Sequence, residues 1–315
     1  MSLEIVSIGR INIDIVMNVE KLPISNEHVF SQHSSFTFGG SAANFATQSA
    51  KLGVKTGLIS CVGTDLYGQL ILKSLQEIGV DTKAILALDK QPTGLFFLVQ
   101  SNNGESVVYA ELGANKFLEK QILDEEYLAR ARTVHIAGGF PNLITRAIEH
   151  ATVAGMVVSV DPGRAAADVD FSKILRLIDI MFLNEVELKQ YFGVECEEKQ
   201  LRNFAKTFPG ILVVKLGNKG SIATDGFEYV TSPIFEVKVV DTLGAGDSFA
   251  AGFITAWTRS ENIEQALHFA NAVASQTITK EGAQNGQPDL QAVSKVLADH
   301  SINIQDILKT FHGKK

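Results

Sequence analysis

Asp241-Thr-Leu-Gly-Ala-Gly-Asp247-Ser-Phe249 decides the reading of this 315-residue chain. An alternating apolar stretch precedes it (Phe235, Val237, Val239) and predicts a strand, and the pattern behind it predicts a helix over residues 249–257. Gly244, Ala245 and Gly246 let the backbone turn sharply and come close to a ligand. The start of a helix leaves N–H groups unpaired beside the positive end of the macrodipole, so an anion fits there. Asp247 stands inside that anion site and reads equally as a base or as a favourable first-turn charge. A dinucleotide fingerprint fails at Phe249, and Glu261 and Glu264 fall in a helical pattern instead of at a strand end. No G-x-x-x-x-G-K-[ST] occurs in the chain. What remains is an anion hole holding a carboxylate, which suits deprotonation of a hydroxyl as it attacks a phosphoryl group.

Outward from this motif, short apolar runs alternate with helical patterns. Strands are predicted over 4–9, 56–61, 95–99, 107–110, 134–136, 156–160, 180–183 and 211–215. Helices are predicted over 41–52, 65–78, 143–154, 185–192, 263–279, 290–297 and 301–311. Continuously apolar strands separated by helices imply an α/β fold, a mostly parallel central sheet covered on both faces. Two stretches break the rhythm. Residues 12–38 alternate apolar and polar without a helix, and residues 90–115 read as a hairpin around Asn102-Asn-Gly104. They form either a small β lid over a cleft or an antiparallel edge of the main sheet. A single domain, 1–315, with lid strands within about 12–38 and 90–115 is the expectation.

Composition narrows the partners. The chain is 45% hydrophobic and 20% charged with net charge −7, which fits a globular protein with a sizeable core. Without a Lys/Arg block, neither nucleic acid nor an anionic membrane is an expected partner. No apolar stretch approaches the length of a membrane span. Two cysteines, Cys61 and Cys196, give no disulfide framework, and a reduced, cytoplasmic protein is expected. The seven histidines show no metal-ligand spacing and read as surface or packing residues.

Gly39-Gly40-Ser-Ala-Ala-Asn44 opens the first long helix. Its glycines allow a polar ligand to lie against the backbone, and Asn44 can donate and accept toward hydroxyls, or the segment is a strand-to-helix turn with a satisfied amide. Asp14, beyond the first strand, could bind two sugar hydroxyls or cap a turn. Asn184-x-x-Glu187 reads as a capping box on residues alone.

Gly39-Gly40-x-x-x-Asn44-x-Ala46 and Asp241-Thr-x-Gly-Ala-Gly-Asp247-x-Phe249 resemble the two signatures of the ribokinase-like (PfkB) family of carbohydrate and nucleoside kinases. The resemblance runs from Gly9 to about Ala283, through Gly63-x-Asp65-x-x-Gly68, Pro92-Thr-Gly94, Lys215-Leu-Gly217-x-x-Gly220 and Lys280-x-Gly282-Ala283. It implies a ribokinase-like fold and an ATP-dependent phosphotransferase acting on a hydroxymethyl group of a sugar or sugar derivative. A nucleoside kinase is the alternative, and a catalytically silent sugar or nucleotide sensor is the alternative of another class. By this similarity Asp247 is the base, and the N–H groups of Gly244, Ala245 and Gly246 stabilise the transferring group. Asn12, Asp14, Gly39, Gly40 and Asn44 would hold the acceptor. Asn184, Lys215, Gly217, Gly220 and Asn271 would lie at the ATP, and Glu187 would reach Mg²⁺ through water. Asp241 with the carbonyls of Leu243 and Gly282 resembles a monovalent-cation site, for K⁺. A homodimer formed through the lid is a further expectation.

The chain also departs from the ribokinase pattern. Ser41 and Ala42 replace a Lys-Gly pair, and Asn285-Gly286 stands where Pro-Ser is usual. Ala137-Gly-Gly-Phe140 lacks the acid that ribokinases bring to the sugar after a central strand. These differences point away from ribose itself, and Phe140 hints at a bulkier or flatter acceptor.

Overall fold

The structure, a computed structural model, describes residues 2–120, 123–138, 140–163 and 166–312. Thirteen strands are defined among them: β1 (Ile5–Gly9), β2 (Asn12–Val19), β3 (Ser31–Gly39), β4 (Thr56–Gly63), β5 (Ile85–Leu88), β6 (Gly94–Ser101), β7 (Ser106–Glu111), β8 (Thr133–Ala137), β9 (Val157–Asp161), β10 (Ile180–Asn184), β11 (Ile211–Lys215), β12 (Ser221–Thr224) and β13 (Tyr229–Ser232). Nine form one sheet in the order β13-β12-β11-β10-β9-β8-β1-β4-β5. All its pairings are parallel except those of β12 with β11 and with β13.

The continuous apolar runs of the central strands follow from burial on both faces. Along β10, Ile180 and Phe182 turn to one core with Phe45, Phe249 and Phe253, while Met181 and Leu183 turn to the other with Leu143, Ile144 and Leu188. This is the two-residue period of a strand feeding two layers. Phe182 is completely buried and meets Phe253 edge to face at 5.5 Å. Truncating such a ring costs about 3–5 kcal/mol. Helices Ser41–Lys51, Ala245–Ser260 and Ile263–Thr277 cover the Phe182 face. Helices Pro141–Val153 and Glu185–Phe192 cover the other. His135 is a packing residue, stacked 3.8 Å from Phe45 with Nδ1 at 2.9 Å from Ser159 Oγ.

The four remaining strands form a separate sheet in the order β3-β2-β6-β7, not an edge of the large one. β2 pairs antiparallel with β3 but parallel with β6, and β6 and β7 form the hairpin expected around Gly104. Phe36 and Tyr109 are exposed on one face of this sheet and Val108 on the other.

Two local expectations are overturned, and one of the two alternatives for Asp14 falls away. Residues 233–239 form no strand, although Phe235, Val237 and Val239 alternate. That extended segment has no ladder partner, and its apolar side chains line a cavity instead. The following helix begins at Ala245, four residues before Phe249, so the glycine-rich turn is itself the first turn. Asp14 lies within β2, opposite Thr37 and Phe96, and caps no turn. The β12–β13 hairpin and the helix Glu198–Ala205 were not anticipated.

Candidate active site

Two cavities meet at the start of the helix Ala245–Ser260. Gly244 and Asp247 line a cleft of about 250 Å³ that also touches the small sheet. Ala245, Gly246 and Phe249 line a second cavity of about 500 Å³. Gly244 is left-handed at φ 73°, and a Cβ there would fall 2.6 Å from the Ala283 carbonyl oxygen, so the turn requires glycine.

Asp247 is the third residue of this helix and caps nothing with its side chain. Its Oδ2 accepts a 2.8 Å hydrogen bond from Asn44 Nδ2. Asn44 is fixed in turn: its Oδ1 accepts from Gln284 Nε2 at 3.0 Å, and its carbonyl accepts from Gln287 Nε2 at 2.8 Å. Gly40, at φ 94°, brings the helix of Asn44 so close to the residues after β1 that a Cβ would stand 2.4 Å from the Arg10 carbonyl oxygen. Burial pushes the Asp247 carboxyl up to about 7; Asn44 counters the rise and the negative charge of Asp161 adds to it. A carboxylate near 7 is matched to proton abstraction at neutral pH.

Within the first cleft Asn12, Asp14, Gly40 and Asn44 converge with Asp247. Asn12 Nδ2 donates to Asp14 Oδ1. Gly39 does not line the cleft but backs it, since a Cβ there would overlap the Asp14 carboxylate, 2.0 Å from Oδ2. Burial raises the Asp14 carboxyl to about 7 as well. Val16, Phe96, Leu98 and Val108 of the small sheet supply an apolar wall.

The second cavity is lined by Lys215, Gly217, Gly220 and Asn271 and walled by Ile234, Phe235, Val237 and Val239. Asn271 Nδ2 donates to Ser221 Oγ at 2.8 Å, which holds the amide against β12. Lys215, at the end of β11, pairs with Asp161, at the end of β9. Burial opposes the Lys215 charge most, but Asp161, Glu187 and Asp247 together raise the ammonium above its ordinary value. Asn184 and Glu187 line neither cavity and form the capping box: Asn184 N donates to Glu187 Oε2 at 3.0 Å, and Glu187 N to Asn184 Oδ1 at 2.8 Å. Among the described residues no group of three or more His, Cys, Asp or Glu is disposed to hold a metal.

Asp241 stitches two loops together, its oxygens accepting from Leu243 N at 2.9 Å and Gly282 N at 2.8 Å. Leu243 and Ala283 line the first cleft; Gly282 does not. Phe140 lies outside the cleft lining and packs on the main core, so it sets no acceptor shape, and Gly139 lies outside the described residues.

Two site residues escaped the sequence reading. Asp161 ends an apolar strand, and Arg10 directly follows one; a charged residue at the carboxyl end of a parallel strand is the signal that marks both.

The profile of the pfkB family carbohydrate kinases matches residues 2–290. The chain is 33% identical over 303 residues to the ATP-dependent ribose-1-phosphate kinase of Halopiger xanaduensis, covering 94% of this chain and 98% of that one. Its fold matches Arabidopsis thaliana ribokinase complexed with ribose and ATP, with TM-score 0.86, 28% identity and coverage of 94% and 99%. It also matches the Methanocaldococcus jannaschii nucleoside kinase, with TM-score 0.85, 25% identity and coverage of 95% and 99%. The chain therefore belongs to the pfkB family of carbohydrate kinases. It is a phosphotransferase, a kinase of the sugar and nucleoside class. No helix among the described residues is long and apolar enough to cross a membrane.

Proposed function

We propose that this chain transfers the γ-phosphoryl group of ATP to a hydroxymethyl oxygen of a small sugar or sugar derivative. The observation that carries this reading is the single helical turn shared by both cavities: Asp247 faces one, and Ala245 and Gly246 face the other. Asp247 takes the proton from the acceptor hydroxyl, whose oxygen then attacks the phosphorus in line. The N–H groups of Gly244 and Gly246 stabilise the charge on the moving group, and that of Ala245 joins them on release from the Thr242 carbonyl, to which it donates at 3.3 Å. Asn12, Asp14, Gly40 and Asn44 hold the acceptor hydroxyls over the backing of Gly39, which converts the attack into a positioned, unimolecular step.

ATP occupies the second cavity. Its apolar wall takes the base beside Asn271, Gly217 and Gly220 let the chain lie close, and Lys215 offers a charge to the phosphates. Mg²⁺ supplies neutralisation of the phosphate oxygens. Glu187 and Asn184 suit that ion through water, because Mg²⁺ gives up its hydration reluctantly and both side chains are already engaged in their cap. K⁺ beside Asp241, Leu243 and Gly282 is supported only by the way Asp241 gathers those two loops. The small sheet acts as a lid whose closure excludes water from the transfer, and the exposed Phe36 and Tyr109 on its other face would serve a homodimer.

The nucleoside reading is favoured by one observation, the apolar wall of Phe96, Leu98 and Val108, which suits a base. The names of the similar kinases support both readings, since they act on ribose, ribose 1-phosphate and nucleosides. A coupled ADP-release screen over sugars, sugar phosphates, sugar acids, polyols and nucleosides, with and without Mg²⁺, tests the proposal. Acceptor-dependent ADP release that stops on chelation is expected, and ADP release indifferent to every acceptor would refute it.

A further inference from the structure

The cleft holds a cation for which the transfer just described has no task. β1 and β8 are neighbours from which the strand order runs off in opposite directions. Ligands of open α/β sheets settle beyond the carboxyl ends of such a pair. Arg10 directly follows β1, and Gly138 directly follows β8. A terminal guanidinium nitrogen of Arg10 lies 3.4 Å from where a Cβ on Gly138 would stand, and Gly138 has φ 90°. A Cβ there would only touch the guanidinium, but the left-handed backbone would be strained by any side chain. On its other side the guanidinium sits 5.9 Å from the centroid of Phe96, on the small sheet.

Other partly buried arginines of this chain close on a carboxylate: Arg130 on Asp81 at 3.2 Å, and Arg259 on Glu4 at 3.0 Å. Arg10 does not. Among the described residues its guanidinium makes no hydrogen bond and no ion pair, yet it lines the cleft. Asp247 and Asp14 act on it only at longer range and favour its charge, while burial strips it of water. A desolvated fork of five donors, open to a ligand cleft, is matched to a planar or tetrahedral oxyanion.

We propose that Arg10 is a specificity residue that binds an anionic substituent, a phosphate or a carboxylate, carried by the acceptor itself. The inference rests on the phosphotransferase reading and narrows it: one small molecule presents a hydroxyl to Asp247 and an anion to Arg10. The transferring phosphoryl group is a poorer match for this cation, because Arg10 lines the acceptor cleft alone. The nucleotide cavity has its own, Lys215, whose Nζ stands 3.5 Å from a Cβ position on Gly246.

The test compares kcat/KM for matched neutral and anionic acceptors, such as a pentose, its phosphomonoester and the corresponding sugar acid, in wild type, Arg10→Gln and Arg10→Lys. The wild type is expected to prefer an anionic member, and which one wins tells phosphate from carboxylate. Arg10→Gln should erode that preference by about 10–100-fold, the worth of a hydrogen bond to a charged group, chiefly through KM. Arg10→Lys should keep part of it, since the charge survives without the fork. ATP binding by both variants, followed calorimetrically, checks that they fold. Turnover of neutral acceptors alone, or an equal loss for every acceptor in Arg10→Gln, overturns the inference and leaves the kinase reading standing. Absence of turnover with every acceptor overturns both.

Discussion

Asn44 and Asp247, 203 positions apart in the chain, are joined by a 2.8 Å hydrogen bond from amide to carboxylate. The two family signatures thus meet side chain to side chain. The amide takes up one carboxylate oxygen, Oδ2. Replacing Asp247 by Asn should lower kcat by about 10²–10⁴-fold, as expected for loss of a general base. ATP affinity measured by calorimetry should change little. Wild-type kcat in that variant would remove Asp247 from its assigned role.

The acid limb of the pH–rate profile should report the same carboxyl, with kcat/KM rising as pH passes about 7. Asn44→Ala removes a bond that favours the charged form, so the limb should move to higher pH. Asp161→Asn removes a neighbouring negative charge, so the limb should move to lower pH. Two shifts in the same direction would show that another group titrates.

Stability should run against activity. Burial raises Asp14 and Asp247 from 3.8 to about 7, so the folded chain binds these protons more tightly than the unfolded one. Their contribution is complete below about 4 and is lost as pH rises through 7. Asp14→Asn should therefore stabilise the protein at pH 8, by about 0.5–2 kcal/mol, and the gain should vanish toward pH 4. Urea unfolding at the two pH values measures this.

Gly39→Ala offers a separate probe of the acceptor site. The new methyl would overlap Asp14 Oδ2, the mobile end of a side chain, so Asp14 swings aside and the fold gives little. The acceptor KM should rise about tenfold, the scale of one displaced hydrogen-bond acceptor, with stability lowered by about 1 kcal/mol. An unchanged KM would separate Asp14 from the acceptor.

Asp161→Ala should be more costly, by about 1.5–3 kcal/mol, because it takes the charged partner from the half-buried Lys215 ammonium. The double variant with Lys215→Met should recover part of that loss in urea unfolding while ATP binding stays impaired. Equal destabilisation of single and double variants would mean that the pair itself is not at stake.

What could be read from the sequence was what local pattern dictates. Ile180 to Leu183 and Ile211 to Val214 announce doubly buried strands because every residue is apolar. The segment around Phe235 misled because alternation records only that one side of an extended chain meets apolar surroundings. Here those surroundings belong to a cavity, and no neighbouring strand accepts the backbone. The first turn of the Asp247 helix was hidden by its glycines, whose low helix propensity argues for a loop until tertiary contacts override it. The β12–β13 hairpin did carry a signal, Asp225-Gly226 at its turn, which went unread. The Asp161–Lys215 pair had none: its members stand on strands 54 residues apart, and only the sheet order makes them neighbours.

The placement of Asp247 three positions after Gly244 ties chemistry to an angular count. Each residue of an α-helix turns about 100° about the axis. One amino acid inserted or deleted between them would swing the acid a quarter-turn or more away from the cleft that it lines while leaving composition and charge almost untouched. A change of length in a loop far from this helix leaves that angle alone, whereas the spacing within residues 244–247 sets it.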